Sequence, residues 1–394
     1  MKSAQLSSGA VLVLGLALAS SPMAATAKSI TVRPGESIQA AVTAAAPGDT
    51  VKVLSGDYCE PNPGLAAVRI TKSLKLMASG QVRILPCGGQ PNGILVEPAN
   101  PGDPDIDGIE IKGFTVEGFS NNGIWLAHVN HFNIENNVSI NNLENGIWPT
   151  LSANGQVKKN VSYGSKDSAL WIEASENVRV INNDLYGSPT GLEVTISKNL
   201  TIENNNVHDN TVGIGLYHPA AAGLDSPWPS NELGDWHLVN NYVHDNNAAN
   251  TATEGEVALL PPGLGILILG VDRVDVQQNR IEKNDFVGVG MIDWCVALGD
   301  PGCGASEIPP GFEDTALDYT QVVGNKFAGN HTGTPPPGPF ETLGSDILYV
   351  GADLFGAIPG SNNCQSDNKL IKTPTPKDPG PLVIALPAPL PACK

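Results

Sequence analysis

The stretch that decides the fold runs from residue 123 to 173: GIWLAHVNHFNIENNVSINNLENGIWPTLSANGQVKKNVSYGSKDSALWIE. Its three tryptophans, Trp125, Trp148 and Trp171, lie at intervals of 23 residues, each inside a short apolar run. A repeat of this length is too short to bury an apolar face by itself. The spacing therefore predicts a solenoid, in which stacked repeats share one continuous core.

The repeated frame continues beyond the tryptophans as GLEVT from Gly191, GIGLY from Gly213, GILIL from Gly265 and VGVGMI through Gly288. A second motif places an asparagine two residues before an apolar residue. Asparagine suits a fixed turn, because it tolerates left-handed backbone and its amide can bond the next asparagine along a stack. We expect the repeat at Lys159 to break this register. The predicted ladder consists of Asn136, Asn183, Asn205, Asn241, Asn279 and Asn325.

Residues 29–58, SITVRPGESIQAAVTAAAPGDTVKVLSGDY, together with the repeats resemble right-handed parallel β-helix proteins of the pectin-lyase-like group. The resemblance extends over residues 29–351. It implies an all-β fold, a right-handed single-stranded parallel β-helix of about ten rungs from Ile30 to Tyr349. In that group a short amphipathic helix caps the open end of the coil; here it would carry Ile38, Ala41, Val42 and Ala45. The group spans lyases, hydrolases, epimerases, adhesins and non-catalytic proteins, so the resemblance indicates the fold far more than the activity.

Three segments are expected along the chain. Residues 1–27 have the pattern of a secretory signal, with Lys2 before an apolar core at 9–19 and small residues at 25–27. Cleavage near Ala27 would release the protein to the periplasm or the exterior, and no later apolar stretch is long enough to span a membrane. Residues 28–368 form the predicted β-helix. Residues 369–394 are a Pro-rich tail, either a linker or a strap packed back on the coil.

Composition and cysteines narrow the environment and the partners. Six cysteines in an exported chain predict disulfides, and proximity favours Cys59–Cys87, Cys295–Cys303 and Cys364–Cys393 among fifteen possible connectivities. The net charge of −18 argues against nucleic acid as the main partner. A polyanionic substrate would need a local basic patch or a bridging Ca²⁺.

The tryptophans are predicted to lie on an outward face. In GIWLA the isoleucine and leucine alternate with Trp125, so they point into the core and the tryptophan points out. Trp148 and Trp171 take the same position in their repeats. Stacked indoles could offer a platform for sugar rings, with each N–H free as a donor. Alternatively, a loop or the tail covers this apolar patch.

A candidate acid/base set lies along the same face. Glu173 and Glu193 fall on neighbouring rungs, offset by two residues, which places diagonal neighbours about 7–8 Å apart. Carboxyl groups about 6.5–9.5 Å apart suit an inverting glycosidase. Tyr217, His218 and Asp293 follow on later rungs and complete the predicted catalytic set. The alternative is an ordinary solvated polar face.

Two further groupings have alternative interpretations. The repeated VHDN motif places His208 and Asp209 beside His244 and Asp245, which suits a divalent metal, acid/base chemistry or merely a turn. A lyase would need a strong base near a calcium site. The available basic residues are Arg273 and Lys283, also candidates for substrate binding, and the calcium candidates are Asp272, Asp275 and Asp285.

The sequence thus favours an exported carbohydrate-active protein that binds a polysaccharide or oligosaccharide in a groove on one sheet. Hydrolase, lyase and epimerase chemistry all remain open, as does the oligomeric state. A non-catalytic accessory or glycan-binding protein is the first alternative, and a metal-handling periplasmic protein is the second.

Overall fold

The computed structural model describes residues 27–61, 64–217, 227–228, 232–253, 255–298, 316–334, 341–351, 360–371 and 380–394. The chain coils as a right-handed parallel β-helix, with two sheets in which all strand pairings of the described residues are parallel. The predicted fold class is therefore confirmed. The predicted signal segment lies outside the described residues, apart from Ala27. No helix in the described ranges has the length and hydrophobicity needed to cross a bilayer.

The first sheet forms two walls of the coil. Its twenty described strands are β1 Ser29–Val32, β2 Thr50–Cys59, β4 Leu74–Leu85, β6 Ile106–Glu117, β8 Val129–Glu135, β9 Val138–Ile140, β11 Ala153–Lys158, β12 Val161–Tyr163, β14 Glu176–Ile181, β15 Asp184–Tyr186, β17 Lys198–Glu203, β18 Asn206–His208, β20 Gly234–Val239, β21 Tyr242–His244, β23 Val274–Gln277, β24 Arg280–Glu282, β26 Gln321–Val323, β27 Lys326–Ala328, β29 Cys364–Ser366 and β30 Lys369–Leu370.

The second sheet closes the coil and carries the tryptophan frame. Its eleven described strands are β3 Ala66–Ile70, β5 Asn92–Val96, β7 Ile124–Ala127, β10 Ile147–Thr150, β13 Ser168–Glu173, β16 Thr190–Thr195, β19 Val212–Tyr217, β22 Leu264–Leu269, β25 Val287–Ile292, β28 Ser345–Val350 and β31 Val383–Leu386.

The register of the second sheet follows the repeat read from the sequence. Trp148 pairs with Trp125, and Glu193 pairs with Trp171. The residues that alternate with them point inward, and Leu126, Ile172 and Val194 are completely buried. Burial of such a side chain contributes roughly 1.5–3 kcal/mol. The apolar interior thus fixes which residues face outward.

The asparagine ladder is longer than predicted and shifted at its start. Asn137 rather than Asn136 occupies it, and the repeat at Lys159 does not break it, because Asn160 holds the ladder position. The prediction failed since the inward residue two positions later is serine in these repeats; Ser139 and Ser162 are fully buried, and their hydroxyls donate to backbone carbonyls. Asn136 and Lys159 instead take the left-handed turn position just before the ladder. Among described residues, the side chains linked into the ladder are Asn137, Asn160, Asn183, Asn205, Asn241, Asn279, Asn325 and Asn368.

A short helix, α1 (Ile38–Ala44), closes the N-terminal end of the coil. Ser37 caps it by accepting a hydrogen bond from the backbone N–H of Ala40. The Glu60 carboxylate also accepts from the N–H of Ile38, so the first turn is satisfied on two sides. Ile38 and Val42 are buried in the main core, as the amphipathic pattern requires.

The Pro-rich end continues the coil. Strand β31 pairs in parallel with β28, and the N–H of Gln365 donates to the Pro391 carbonyl. Disulfides join Cys364 to Cys393 and Cys59 to Cys87. The predicted Cys295–Cys303 bridge lies outside what the structure describes, since residue 303 falls in an undescribed segment.

Candidate active site

The three tryptophans form a continuous stack on the outer face of the second sheet. Ring centroids lie 4.8 Å apart between Trp125 and Trp148, and 5.2 Å apart between Trp148 and Trp171, with interplanar angles of 10° and 6°. Each inner ring face is therefore turned toward another indole. Trp171 ends the stack toward β16, where Glu193 occupies the next register position. The stack presents ring edges, whereas the binding platform that was one of the two interpretations of the sequence would present ring faces.

The indole N–H groups are also not free, contrary to expectation. Trp148 donates to Oε2 of Glu173 at 2.9 Å, and Trp171 donates to Oγ1 of Thr195 at 2.9 Å. The N–H of Trp125 is buried. Hydrogen bonds to a ligand must therefore come from groups other than these indoles.

Glu173 is a buried carboxyl whose oxygen holds the Trp148 indole in place. Burial raises its pKa, and hydrogen bonds from Thr150 and Trp148 partly offset the rise. Glu173 pairs with Thr195 and lies diagonal to Glu193, as the register predicted. The two carboxyls nevertheless serve different partners, so Glu173 is a positioning residue for the aromatic ridge.

Glu193 lies next to Trp171 on the neighbouring strand, β16. Its carboxylate accepts a hydrogen bond from the hydroxyl of Ser168, at the start of β13. On the next strand Gly215 leaves a gap opposite Glu193, and the Tyr217 ring fills it: a methyl group on Gly215 would meet the tyrosine hydroxyl at 2.1 Å. Burial raises the pKa of Tyr217 well above its ordinary value, and the Glu193 charge raises it further. Tyr217 is therefore neutral at any working pH.

Asp167, which the sequence prediction missed, lies in the turn before β13. Its N–H bonds the carbonyl of Glu144 at 3.2 Å, so the two acids occupy equivalent turn positions on adjacent rungs. Burial, and then the nearby Glu144 charge, raise the pKa of Asp167 to about 6. Its protonated form thus persists close to neutral pH, as a general acid requires. The signal was present: Glu144 and Asp167 have the same spacing of 23 as Trp148 and Trp171.

Asp167, Glu193 and Trp171 line one cleft of about 380 Å³. Its far wall is formed by Thr253 and Gly255, which precede a 3-10 helix (Glu256–Leu259), and by Val257 in that helix. Lys166 is the basic side chain among the described lining residues, against three carboxyl groups. The lining comprises Leu143, Glu144, Asn145, Trp148, Lys166, Asp167, Trp171, Glu193, Thr253, Gly255 and Val257.

The raised pKa of Asp167 predicts a pH-dependent stability. Its folded pKa lies above the ordinary aspartate value of 3.8, so its stabilising contribution is complete below pH 3.8 and is lost as the pH rises through about 6. The rise of this pKa from 3.8 to about 6 corresponds to at most about 3 kcal/mol. Denaturant unfolding at pH 4 and pH 7 should show wild type losing more stability than Asp167→Asn over this interval. Parallel losses in the two proteins would contradict the assignment.

Asp293, another predicted catalytic residue, is not part of this cluster. Asp293 follows β25, which is three strands from β16, or about 14 Å at the usual strand spacing. It is buried, and its carbonyl accepts the N–H of Ala297 in a second helix, α2 (Trp294–Leu298). His218 lies outside the described residues.

The repeated histidines stack on the outer face of the first sheet. The rings of His208 and His244 lie 5.0 Å apart, and each Nδ1 is 2.7 Å from the following aspartate, Asp209 or Asp245. The Nε2 atoms contact Asp184 and Asn206 at 3.1 Å. Both ring nitrogens of each histidine thus have protein partners, as expected for a structural turn. No group of three or more metal-ligating side chains able to hold an ion occurs within the described ranges.

The two candidate lyase bases lie apart. Arg273 is in the turn after β22 and pairs with Asp235 at 3.1 Å, whereas Lys283 precedes β25 and lies 3.7 Å from Asp245. They are at opposite ends of the second-sheet strands, so the structure does not bring them together. The calcium candidates are equally dispersed: Asp272 accepts the N–H of Asp318, Asp275 bonds His237, and Asp285 lies in the turn preceding β25.

The fold defines the class: the chain is a right-handed parallel β-helix protein, as its resemblance implied. The family described as right handed beta helix region matches residues 92–224. Among curated proteins, none matches the chain.

Solved structures with the same fold include two epimerase modules and a DFA-IIIase, all at low sequence identity. The A-module of mannuronan C-5 epimerase AlgE4 from Azotobacter vinelandii is 16% identical, with 88% of this chain and 93% of that chain covered, at a TM-score of 0.56. The AlgE6 A-module from the same organism is 17% identical, with 86% and 95% covered, at 0.55. DFA-IIIase from Arthrobacter chlorophenolicus A6, in complex with GF2, is 15% identical, with 87% and 76% covered, at 0.52. These likenesses concern the fold alone.

Proposed function

We propose that this protein is an exported glycoside hydrolase that binds a neutral polysaccharide or oligosaccharide in the cleft beside Trp171. One observation carries the proposal: Asp167, whose pKa is raised to about 6, shares a cleft with a second carboxyl, Glu193, and with the Trp171 indole. An acid that keeps its proton, a second carboxyl group and an aromatic surface are the parts that glycosidic hydrolysis uses. Carbohydrate-active proteins among the structural neighbours agree with this class.

The roles follow from the surroundings of each carboxyl group. Asp167 would protonate the leaving glycosidic oxygen, since burial and Glu144 keep its proton bound near neutral pH. Glu193, held by the Ser168 hydroxyl, would act on the opposite side of the sugar, either on water or on the anomeric carbon. Trp171 would stack against the sugar ring next to the cleaved bond.

The charge of the cleft favours a neutral substrate over a polyuronate. Three carboxyl groups against one lysine repel an anionic chain. The bases that a lyase would use, Arg273 and Lys283, lie outside this cleft. Two disulfides suit an oxidising compartment, consistent with export.

The test is incubation of the mature protein with neutral and acidic polysaccharides, with and without calcium. New reducing ends without absorbance near 235 nm are expected on a neutral glycan. Absorbance at that wavelength would instead indicate elimination and overturn the hydrolase assignment. Binding without turnover on any neutral substrate would favour the non-catalytic glycan-binding alternative.

Replacing Trp171 by alanine should weaken substrate binding about tenfold, because an aromatic stacking contact contributes roughly 0.5–1.5 kcal/mol beyond its buried area. The set of polysaccharides tested above serves as a substrate panel. The measurement is the Kd for an oligosaccharide released from the glycan that this panel identifies as the substrate. Tyr163→Ala is the matched control, since this ring also ends an aromatic stack, at 4.7 Å from Tyr186, but on the first sheet. Equal weakening in both variants would remove Trp171 from the binding surface.

A further inference from the structure

The outward face of the second sheet changes character beyond the cleft. The register position of Trp171 and Glu193 is taken by Leu267 and then Leu348 on later strands. The neighbouring outward positions are Leu269 and Ile292. Apolar side chains on the outside of a coil require a cover. The 3-10 helix Glu256–Leu259 and helix α2 supply one, and together they form a second apolar cluster separate from the main core.

This cover leaves a pocket of about 140 Å³ lined almost wholly by apolar atoms. Its floor is shaped by glycine: Leu267 lies over Gly290, where a methyl group would be 3.3 Å from its Cδ1. Leu259 stands at the rim with 77% of its surface exposed. The lining comprises Tyr217, Val257, Leu259, Leu260, Pro261, Leu264, Leu267, Leu269, Phe286, Ile292, Trp294, Ala297 and Leu348.

The pocket adjoins the acidic cleft. Val257 lines both, and Tyr217 lies between them, with its ring in the pocket wall and its hydroxyl toward the Glu193 position. That hydroxyl is buried and interacts with the side chain of Thr190.

We propose that the pocket binds a phenyl-sized apolar group attached to the carbohydrate that occupies the adjoining cleft. The proposal rests on the proposed function and specifies its substrate as an aryl-substituted glycan or glycoside. The size agrees, since a dry cavity of about 150 Å³ lined by leucine, isoleucine and phenylalanine binds benzene. A free sugar would leave its hydroxyls unpaired against these walls.

Binding of the apolar group is tested without any sugar, by an NMR titration with benzyl alcohol. Ala297→Phe places a ring into the pocket from α2, and the Kd of this variant for benzyl alcohol should be at least tenfold higher than that of wild type. Leu259→Ser, at the exposed rim, should weaken binding severalfold without affecting the fold. Leu151→Ser is the control, because this leucine is exposed in a turn outside the pocket. If wild type does not bind benzyl alcohol, or if Ala297→Phe binds it equally well, the assignment of this pocket as a binding site is overturned.

The attachment to a sugar is tested with the oligosaccharide found by the panel, with and without a benzyl aglycone. Wild type should show a KM at least tenfold lower for the benzyl form, and Ala297→Phe should lose that preference. Benzyl alcohol binding without such a preference would overturn the substrate assignment while leaving the pocket intact. If benzyl alcohol binds but no glycan is turned over, the hydrolase proposal is contradicted, and so is the proposal of an aryl-substituted substrate.

Discussion

Replacing Asp167 by asparagine is expected to lower kcat by about two to four orders of magnitude, the usual contribution of a positioned general acid. Asparagine keeps the size and the hydrogen-bonding shape but has no acidic proton. Burial, and then the charge of Glu144 at the equivalent turn position, raise the pKa of Asp167 to about 6. The measurement is kcat on the glycan that the panel identifies.

A pH profile separates this role from a structural one. Activity that needs protonated Asp167 should decline as the pH rises above about 6, and Glu144→Gln should shift the decline to lower pH by removing the neighbouring charge. Asp209→Asn is the matched control, because this aspartate is exposed on the first sheet and asparagine fits its left-handed backbone. A decline that Glu144→Gln leaves in place would reject Asp167 as the acid.

The fold was predictable because outward residues of the same type recur at a constant spacing along the sequence. Trp125, Trp148 and Trp171 occupy the same point of each coil, so their spacing gave the register of the second sheet. Inward alternation then followed from the pleat of the strand. The two errors in the ladder, Asn136 in place of Asn137 and a break at Lys159, arose from assuming that every inward position is apolar, whereas Ser139 and Ser162 are buried through their own hydrogen bonds.

The candidate site was less predictable, because register shows which residues are neighbours but not where their side chains bond. Glu173 and Glu193 are diagonal as expected, yet one holds an indole and the other a serine hydroxyl. Asp293 fails on register itself, since it follows β25, the third strand along from the strand of Glu193. Asp167 lies in a turn, where no strand alternation draws attention to it.

Replacing Asn183 by alanine should lower the free energy of unfolding by about 2–6 kcal/mol, the largest stability effect expected here. Its amide oxygen accepts from the backbone N–H and the side chain of Asn160, at 2.9 and 3.0 Å. Its amide nitrogen donates to the Val157 carbonyl and to Asn205, at 2.9 and 3.0 Å. Alanine leaves two backbone groups buried without these partners, at about 1–3 kcal/mol each. Denaturant unfolding measures the loss.

The adjacent asparagine provides the control for this ladder. Asn182 is exposed, and it has the left-handed φ that Lys159 adopts at the same point one rung earlier. Asn182→Lys should therefore change stability by less than about 0.5 kcal/mol, although the residue type lost is the same. Each rung contacts only its neighbours, so the Asn183 defect interrupts the ladder between β11 and β17, among the rungs that carry the cleft residues Asp167 and Glu193. Equal stability of the two variants would mean that the coil is held by its apolar core alone.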